Sequence, residues 1–394
     1  MRILYVCLDR GIPVGGTKGA SIHVGELVRA FRAEGHDVAV VARRVEGGPA
    51  ERVFRAGPSE PEGFARVPGR VLRRDLREVA ARRPLATAVR GAIESFRPAL
   101  VYERYALFRT EGRAEAARSG LPFVLEVNAP LVWEESRFRG LALTGTARRA
   151  ELAAWRGADL VVVPSEPLAA RIRALGQSRV LVVPNAVDVE LFSPDPRGPA
   201  TRSSLGLDGG FVVAFAGSLK AWHDLDTLVR ALAALPAERR AVLLIVGDGP
   251  ARKGVERLAG SLGVKVVFAG AVAHADVPRY LAAADACVAG LPPDPQFDYF
   301  SPLKALEYLA CGRPTVVADR GDVAGLARSG AALAYRPGDP DDLAERLELI
   351  ASSPDLAGSL GASGRALAQS HTWQDAASAI LQAALRLPRT ASSA

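Results

Sequence analysis

Short apolar runs alternate with stretches of helical periodicity along almost the whole chain. Runs such as RILYVCL and LVVVPS have the length of single buried strands, and amphipathic stretches such as residues 21–35 lie between most of them. A continuous apolar run indicates a strand covered on both faces, as in a parallel sheet. The pattern therefore predicts an α/β fold built from β–α units. The predicted strands are 2–8, 37–43, 100–105, 123–128, 160–165 and 180–185 in the first half, and 211–217, 242–247, 265–270, 286–291, 315–319 and 331–336 in the second.

A polar segment separates the two sets of strands. Residues 192–210 are rich in Pro, Gly and Ser and predict a connection between domains. We therefore expect an N-terminal domain over residues 1–190 and a C-terminal domain over 191–371, two parallel-sheet domains that face each other across a cleft. The last helical stretch, 372–387, has one apolar face, and we expect it to cross back onto the first domain.

The composition argues against several classes of protein. The chain has 394 residues, enough for two or three domains. No apolar run approaches the roughly 18 residues of a membrane span. Three cysteines without a C-x-x-C pair argue against a disulfide framework or a zinc site, so we expect a cytoplasmic protein. These residues are Cys7, Cys287 and Cys311.

The net charge of +7 suits an anionic ligand, nucleic acid or anionic lipid. No zinc-finger spacing, RNP-type aromatic motif or long basic tail occurs, which argues against nucleic acid. Residues 66–90 are rich in arginine. One interpretation is a basic helix that contacts an anionic acceptor or lipid at the inner face of a membrane, and the other is a solvated helix face. The arginines are Arg66, Arg70, Arg73, Arg74, Arg77, Arg82, Arg83 and Arg90.

Residues 299–312, YFSPLKALEYLACG, predict a helix that begins with an anion site. Ser301 suits the N-cap and Pro302 the first helical position. Unpaired N–H groups and the helix dipole then favour a phosphate. Lys304 in the first turn is disfavoured by the dipole unless an anion such as a diphosphate lies in front of it. Glu307 shares its face and could accept ribose hydroxyls; the alternative is an ordinary capped helix with a Lys304–Glu307 surface pair.

Two further loops follow predicted strands and precede predicted helices. The loop 9–24 is rich in glycine, which allows close backbone approach to a ligand, but it has neither the dinucleotide fingerprint nor the P-loop pattern. Residues 215–224 contain a Gly-Ser turn, a lysine and His223. Ligands bind at the carboxyl ends of strands in open α/β sheets, and three of the five lysines lie there, unless lysines simply favour loops. They are Lys18, Lys220 and Lys304.

Taken in order, these residues resemble the retaining glycosyltransferases of family four, which have the GT-B fold. The resemblance runs almost the full length of the chain, and VPNAVD and the last block are its most specific parts. The matching blocks are GASIHV (19–24), ADLVVVPSE (158–166), VPNAVDVELF (183–192), FAGSLKAWH (215–223), VGDGP (246–250) and FSPLKALEYLACGRPTVVA (300–318).

The resemblance implies two Rossmann-like domains and a UDP-, GDP- or dTDP-linked sugar donor bound mainly by the second one. It also implies transfer with retention to an unidentified acceptor hydroxyl, without a cofactor or a bound metal. Glu307 matches the second glutamate of the family's E-x7-E motif, which binds the donor ribose, and Lys220 resembles the diphosphate-binding base. Gly15 and Gly16 match the loop that faces the donor phosphate and the acceptor.

The chain departs from the family pattern at three places. Tyr299 stands where the first glutamate of E-x7-E contacts the transferred sugar, with Asp298 beside it, so the identity of the sugar stays open. Ser218 replaces the arginine of a G-R pair. Asn128 stands where many members carry a histidine.

The D-x-D pair of Asp224 and Asp226 resembles a metal-binding motif of some sugar transferases. Acidic residues are also favoured in the first turn of a helix, and we prefer that interpretation.

Three sets of candidate residues follow from the motifs and the resemblance, although buried polar residues that hold the cleft are an alternative for Glu126, Asn128 and Glu103. For the chemistry they are Lys220, Lys304, Asn128 and Glu126; for the donor Gly15, Gly16, Gly217, Ser218, His223, Asp298, Tyr299, Phe300, Ser301, Pro302, Leu303 and Glu307; and for the acceptor side Lys18, His23, Glu103 and Tyr105.

Two other functions are compatible with the same architecture. A non-hydrolysing nucleotide-sugar epimerase would convert the donor without an acceptor, although the predicted cleft is not rich in histidine. A non-catalytic sugar-nucleotide binder, such as a partner subunit, is compatible with Tyr299 in place of glutamate. The acceptor is open among a lipid, a polysaccharide and a small natural product.

Overall fold

The computed structural model describes residues 1–46, 52–56, 69–301 and 303–387. The chain divides into two compact units, Met1–Pro184 with Gln374–Ala394 and Asn185–Trp373. The interpretation of 192–210 as a connection between domains is wrong, because this segment lies inside the second unit and contains a helix. Arg202 on that helix pairs with Asp285 at 3.0 Å, which ties the segment to the second sheet.

The first unit contains a parallel sheet of seven strands in the order β3-β2-β1-β4-β5-β6-β7. Six of these strands were predicted, and β3 was not. The strands are β1 (Arg2–Cys7), β2 (Asp37–Ala42), β3 (Val53–Arg55), β4 (Leu100–Arg104), β5 (Phe123–Glu126), β6 (Leu160–Val163) and β7 (Val180–Val182). The helices are α1 (Gly19–Ala33), α2 (Arg70–Ala80), α3 (Arg82–Phe96), α4 (Glu111–Arg118), α5 (Leu131–Phe138), α6 (Thr144–Gly157) and α7 (Glu166–Ala174).

The second unit contains a parallel sheet of six strands in the order β10-β9-β8-β11-β12-β13, all of them predicted. The strands are β8 (Val212–Ala216), β9 (Val242–Val246), β10 (Lys265–Gly270), β11 (Ala286–Ala289), β12 (Thr315–Ala318) and β13 (Leu333–Tyr335). The helices are α8 (Gly198–Ser204), α9 (Leu225–Ala234), α10 (Arg252–Leu262), α11 (Val277–Leu281), α12 (Leu303–Ala310), α13 (Val323–Arg328), α14 (Pro340–Ser352) and α15 (Pro354–Ala368). The last helix, α16 (Trp373–Leu385), belongs to the first unit except for its first residue.

The strand order fixes where each sheet can bind a ligand. Strand β8 is completely buried, and β1 is buried except for its first residue, Arg2, as expected for strands covered by helices on both faces. In the first unit, β2 and β3 are added on one side of β1 and the later strands on the other, so the switch point lies between β1 and β4. In the second unit it lies between β8 and β11. A crevice forms beyond the carboxyl ends of the strands at such a switch point. In the second unit the loop after β8 and the segment that leads from β11 to α12 meet there.

The arginine-rich stretch is partly engaged in ion pairs with carboxylates. Its membrane contact stays a prediction, and Arg66 lies outside the described residues. No helix among residues 1–46, 69–301 and 303–387 combines the length and the apolar character of a membrane-spanning segment. The pairs are Arg74 with Glu135 at 3.0 Å, Arg82 with Glu111 at 3.1 Å, and Arg90 with Glu115 at 2.9 Å.

Candidate active site

Lys304 lies at the switch point of the second sheet, on the first turn of α12. Its Nζ is 3.0 Å from both ring nitrogens of His223 and 4.4 Å from the centre of the Phe215 ring. Burial lowers the pKa of Lys304 to about 7, and the charge of Glu307 opposes that shift. Among the described residues no carboxylate forms an ion pair with Lys304, so an incoming anion would be its charge partner.

His223 is a neutral neighbour of this ammonium group. Burial lowers its pKa well below the usual value, and the charges of Lys304 and Lys220 lower it further. The Lys220 ammonium lies 5.9 Å from the ring centre of Trp222. The short turn Ala221–His223 therefore brings one lysine and one uncharged imidazole to the carboxyl end of β8, next to the helix that carries the second lysine.

The turn after β8 requires glycine for close backbone packing. Gly217 has φ +134°, its N–H donates to the Val246 carbonyl at 2.8 Å, and a Cβ there would lie 3.3 Å from Cε of Lys304. Gly247 has φ +137°, and a Cβ there would overlap the carbonyl oxygen of Gly217. The two turns thus pack backbone against backbone, and Ser218 is exposed beside them.

Tyr308 attaches α12 to the end of β8. Its hydroxyl accepts from the backbone N–H of Ala216 at 2.7 Å and donates to the Ala216 carbonyl at 3.2 Å. The tyrosine is completely buried. This pair of bonds fixes the helix that carries Lys304 and Glu307 against the strand that precedes the Gly217 turn.

Glu307 and Lys304 share a face of α12, but the structure separates their charged groups. Glu307 Oε1 lies 3.3 Å from Nε2 of His274. His274 in turn packs beside Phe192, with ring centres 5.0 Å apart. A direct Lys304–Glu307 pair, the alternative weighed from the sequence, is therefore not formed.

The segment before α12 contributes mostly packing. Tyr299 is 5% exposed, so its side chain is largely withdrawn from solvent. Asp298 pairs with Arg320 at 3.4 Å, and the Phe300 ring lies 5.8 Å from that of His223. The Ser301 carbonyl accepts a hydrogen bond from the side chain of Asn185. Pro302 lies outside the described residues, and the helix begins at Leu303.

In the first unit Glu126 is the centre of a buried polar cluster. It is 3% exposed, and its Oε1 lies 2.7 Å from Nε2 of His23 and accepts from Arg104 at 2.7 Å. Burial alone would raise the pKa of Glu126, but His23, Arg104 and a hydrogen bond from Asn128 lower it well below the usual value. The hydroxyls of Tyr5 and Tyr102 donate to the other carboxylate oxygen, Oε2, at 3.0 Å and 3.2 Å.

Glu126 is therefore an ionised, fully coordinated carboxylate. A carboxylate that accepts from so many donors has no free lone pair with which to take a proton from a substrate. The geometry favours a positioning role, in which Glu126 orients His23 and Asn128.

Glu103 and Tyr105 lie apart from this cluster. Side chains alternate along a strand, and since Tyr102 and Arg104 contact Glu126, Glu103 points to the opposite face of the sheet. Its carboxylate packs against Gly112 of α4, and burial, followed by the charge of Glu111, raises its pKa to about 8. Tyr105 donates to Glu151 at 3.2 Å. These contacts favour a structural role for both residues.

The glycine-rich loop of the first unit is held by a neighbouring loop. Val14 and Val45 form an isolated parallel bridge, and Gly15 has φ +80° with no room for a Cβ next to the Glu46 carbonyl. Gly16 is buried beside Pro13, and the exposed Lys18 approaches the carbonyl of Gly11 at 3.5 Å.

Sequence reasoning missed several residues of these clusters. His274, Tyr308, Arg104, Tyr5 and Tyr102 reach their partners across long separations in the chain, and no local pattern marks them. Across the described ranges no three His, Cys, Asp or Glu side chains lie close enough together to hold a metal ion. Asp224 and Asp226 lie at the start of α9, as predicted.

A cavity of about 560 Å³ lies at the amino ends of the strands of the second sheet, opposite the switch-point crevice. Its lining includes Phe211, Asp285 and Pro314, which directly precede β8, β11 and β12. It is therefore separate from the Lys304 cluster.

The arrangement of strands and helices is that of known GT-B glycosyltransferases. Sucrose-phosphate synthase from Thermosynechococcus elongatus has a TM-score of 0.76 at 22% identity, over 97% of this chain and 98% of that one. WaaG, a glycosyltransferase involved in lipopolysaccharide biosynthesis, has a TM-score of 0.69 at 17% identity, over 98% and 99% of the two chains. The fold class is thereby confirmed.

Two family models match successive parts of the chain. The model described as Glycosyltransferase Family 4 matches residues 17–191, and that described as Glycosyl transferases group 1 matches residues 210–353. A GDP-mannose-dependent alpha-(1-6)-phosphatidylinositol dimannoside mannosyltransferase of Mycobacterium tuberculosis is 30% identical, over 97% of this chain and 95% of that protein. The chain belongs to the group 1, family 4 glycosyltransferases, as its motifs indicated.

Other relatives align over different shares of their length. A D-inositol 3-phosphate glycosyltransferase of Jonesia denitrificans is 28% identical over 93% of this chain and 91% of that protein. The protein of the same name from Actinosynnema mirum is 34% identical over 53% of this chain, and the match spans about half of that relative, 52%.

Proposed function

We propose that the protein transfers a sugar from a nucleotide-diphosphate donor to an acceptor hydroxyl, with retention at the anomeric carbon and without a metal. The observation that carries the proposal is the position of Lys304, which is half-buried at the switch point of the second sheet and forms no ion pair with a carboxylate of the described residues. The relative of M. tuberculosis is named for its use of GDP-mannose, which supports this class of donor.

The donor diphosphate would bind in front of α12. The N–H groups of its first turn and the ammonium of Lys304 would donate to the phosphate oxygens, and Lys220 lies on the loop that follows β8. Preorganised positive charge stabilises the negative charge that grows on a leaving diphosphate, and such electrostatic terms are usually the largest in catalysis. Lys304 and Lys220 are therefore the residues on which turnover depends most.

Glu307 would bind the ribose of the donor. It lies one turn further along α12 from Lys304, so the diphosphate and the ribose of one nucleotide can be bound by a single helix. Tyr308 holds this helix against β8, which fixes the positions of Lys304 and Glu307 relative to the loop that follows β8. Tyr299 is buried, so the transferred sugar takes its contacts from other residues.

The first unit would bind the acceptor beside His23 and Asn128. Glu126 fixes both side chains, and ordered polar groups reduce the entropy lost when a substrate hydroxyl is aligned. We favour substitution on the front face of the sugar, in which the leaving phosphate accepts the acceptor proton, because no unengaged carboxylate is available as a covalent nucleophile in the Glu126 cluster.

The stereochemistry and the metal requirement are tested by following the reaction by proton NMR. The nucleotide sugar that binds most tightly is incubated with candidate acceptors, with and without EDTA. We expect a product with the anomeric configuration of the donor, at the same rate in EDTA. An inverted product or a rate abolished by EDTA would contradict the proposal. Conversion of the donor without acceptor would indicate an epimerase instead.

A further inference from the structure

Two histidines keep the acidic and the basic residue of α12 apart. Residues three apart on a helix are near enough to form an ion pair. Here the Lys304 ammonium lies against His223, and the Glu307 carboxylate lies 3.3 Å from Nε2 of His274. Glu307 is thereby directed away from the lysine and towards the loop after β10.

His274 is well placed to hold Glu307. It begins the short turn His274–Asp276 that follows β10, at the carboxyl edge of the same sheet. Its ring packs beside Phe192, which is 1% exposed and belongs to the core of the second unit. The side chains of His274 and Glu307 keep 22% and 18% of their surface exposed, so a ligand can still reach the carboxylate.

We propose that His274 is a positioning residue that orients Glu307 towards the ribose hydroxyls of the nucleotide and keeps this carboxylate away from Lys304. The inference rests on the proposed function, because it needs a nucleotide in this site. It assigns a role to a residue that no motif of the sequence indicated.

The two oxygens of the Glu307 carboxylate take different partners. A hydrogen bond from Nε2–H of His274 occupies Oε1 and leaves Oε2 for the hydroxyls of the ribose. A glutamate with no second contact is free to rotate about its side-chain bonds, and this freedom must be lost when a ligand binds. Because His274 is itself held by a core aromatic ring, it can restrict Glu307 before the nucleotide arrives.

The contact with His274 also affects the charge of the phosphate site. A Glu307 that turned towards Lys304 would neutralise the ammonium group that the diphosphate needs. With Glu307 held by His274, each charged group of α12 faces a different part of one nucleotide, the ammonium its diphosphate and the carboxylate its ribose.

The test compares ribonucleotides with their 2′-deoxy analogues by titration calorimetry on the intact protein. The probes are UDP with 2′-deoxy-UDP and GDP with 2′-deoxy-GDP. A site that hydrogen-bonds the 2′-hydroxyl should prefer the ribonucleotide by about tenfold or more. We expect His274→Ala to weaken ribonucleotide binding about three- to tenfold and to leave deoxynucleotide binding nearly unchanged.

Three variants sharpen the interpretation. His274→Gln should restore much of the preference, because its amide can donate to the same oxygen. His274→Ala should add no further loss in a Glu307→Gln background if it acts through that carboxylate. Asp276→Asn changes a charge on the same turn, where the carboxylate faces Arg279, and should leave both affinities unchanged.

The possible failures are distinguishable. Equal weakening of ribo- and deoxynucleotide by His274→Ala, or no weakening, would overturn the role of His274. A wild-type protein that binds nucleotide without preferring the ribose, for example one that prefers dTDP, would overturn it too while leaving donor binding intact. If the wild-type protein bound none of the nucleotides, the proposed function itself would fail.

Discussion

Donor binding should weaken about 30-fold when the pH is raised from about 6 to about 8.5, because Lys304 loses its proton over this range. Burial lowers the pKa of Lys304 to about 7 in the free protein. A diphosphate beside the ammonium group favours the charged form, so the bound pKa is higher and a proton is taken up on binding. The affinity for the donor is therefore highest below pH 7, where Lys304 is protonated in the free protein. Above pH 7 it falls by about tenfold, or 1.4 kcal/mol, per pH unit.

The assay is titration calorimetry with a nucleotide sugar, whose phosphates are both esterified and do not titrate in this range. Buffers of different ionisation enthalpy then report the proton uptake directly. Lys304→Arg keeps its charge and should give a nearly flat profile, and Lys304→Met should bind weakly at every pH. The exposed Lys253→Met is a control that should keep the wild-type slope. A flat wild-type profile, or the same slope in Lys304→Arg, would refute the reasoning.

Three substitutions should lower stability, each measured as the free energy of unfolding in urea. Gly247→Ala should lose about 3 kcal/mol or more, because φ +137° and the Gly217 carbonyl leave no place for a methyl group; a loss below about 1 kcal/mol would contradict this. Glu126→Gln should lose about 3–5 kcal/mol, since Arg104 is left as a buried unpaired charge. Tyr308→Phe should lose about 2 kcal/mol, because a backbone N–H and a carbonyl of β8 lose their partner. Unchanged unfolding curves for the last two would show that these contacts do not stabilise the fold.

The strands were predictable because each central strand is an apolar run between polar turns. RILYVC and VLLIV are buried along nearly their whole length, and each has the length of a single buried strand. The edge strand β3 has three residues and only partial burial, so its sequence VFR carries no such pattern. The segment 192–210 shows the opposite error, since its Pro and Gly residues begin and end a short helix instead of connecting domains.

The candidate site was predictable where its residues share one helix or one turn. Lys304 and Glu307 are three residues apart, and Lys220 follows a recognisable Gly-Ser turn. The partners of these residues were not predictable, because His274 is 33 residues from Glu307 and His223 is 81 from Lys304. Such pairs are set by the order of strands in the sheet, which no local spacing encodes. Glu103 was likewise a candidate for the acceptor side in the sequence. In the structure it lies on the face of the sheet opposite the Glu126 cluster, because side chains alternate along β4.

The most direct test of the central claim is a calorimetric titration of the intact protein with UDP-, GDP- and dTDP-linked sugars. The account predicts that one of them binds at a single site and that Glu307→Ala weakens this binding severalfold or more, whereas Lys220→Ala mainly lowers turnover. Absence of binding by every nucleotide sugar, or binding unaffected by changes at Lys304 and Glu307, would contradict it.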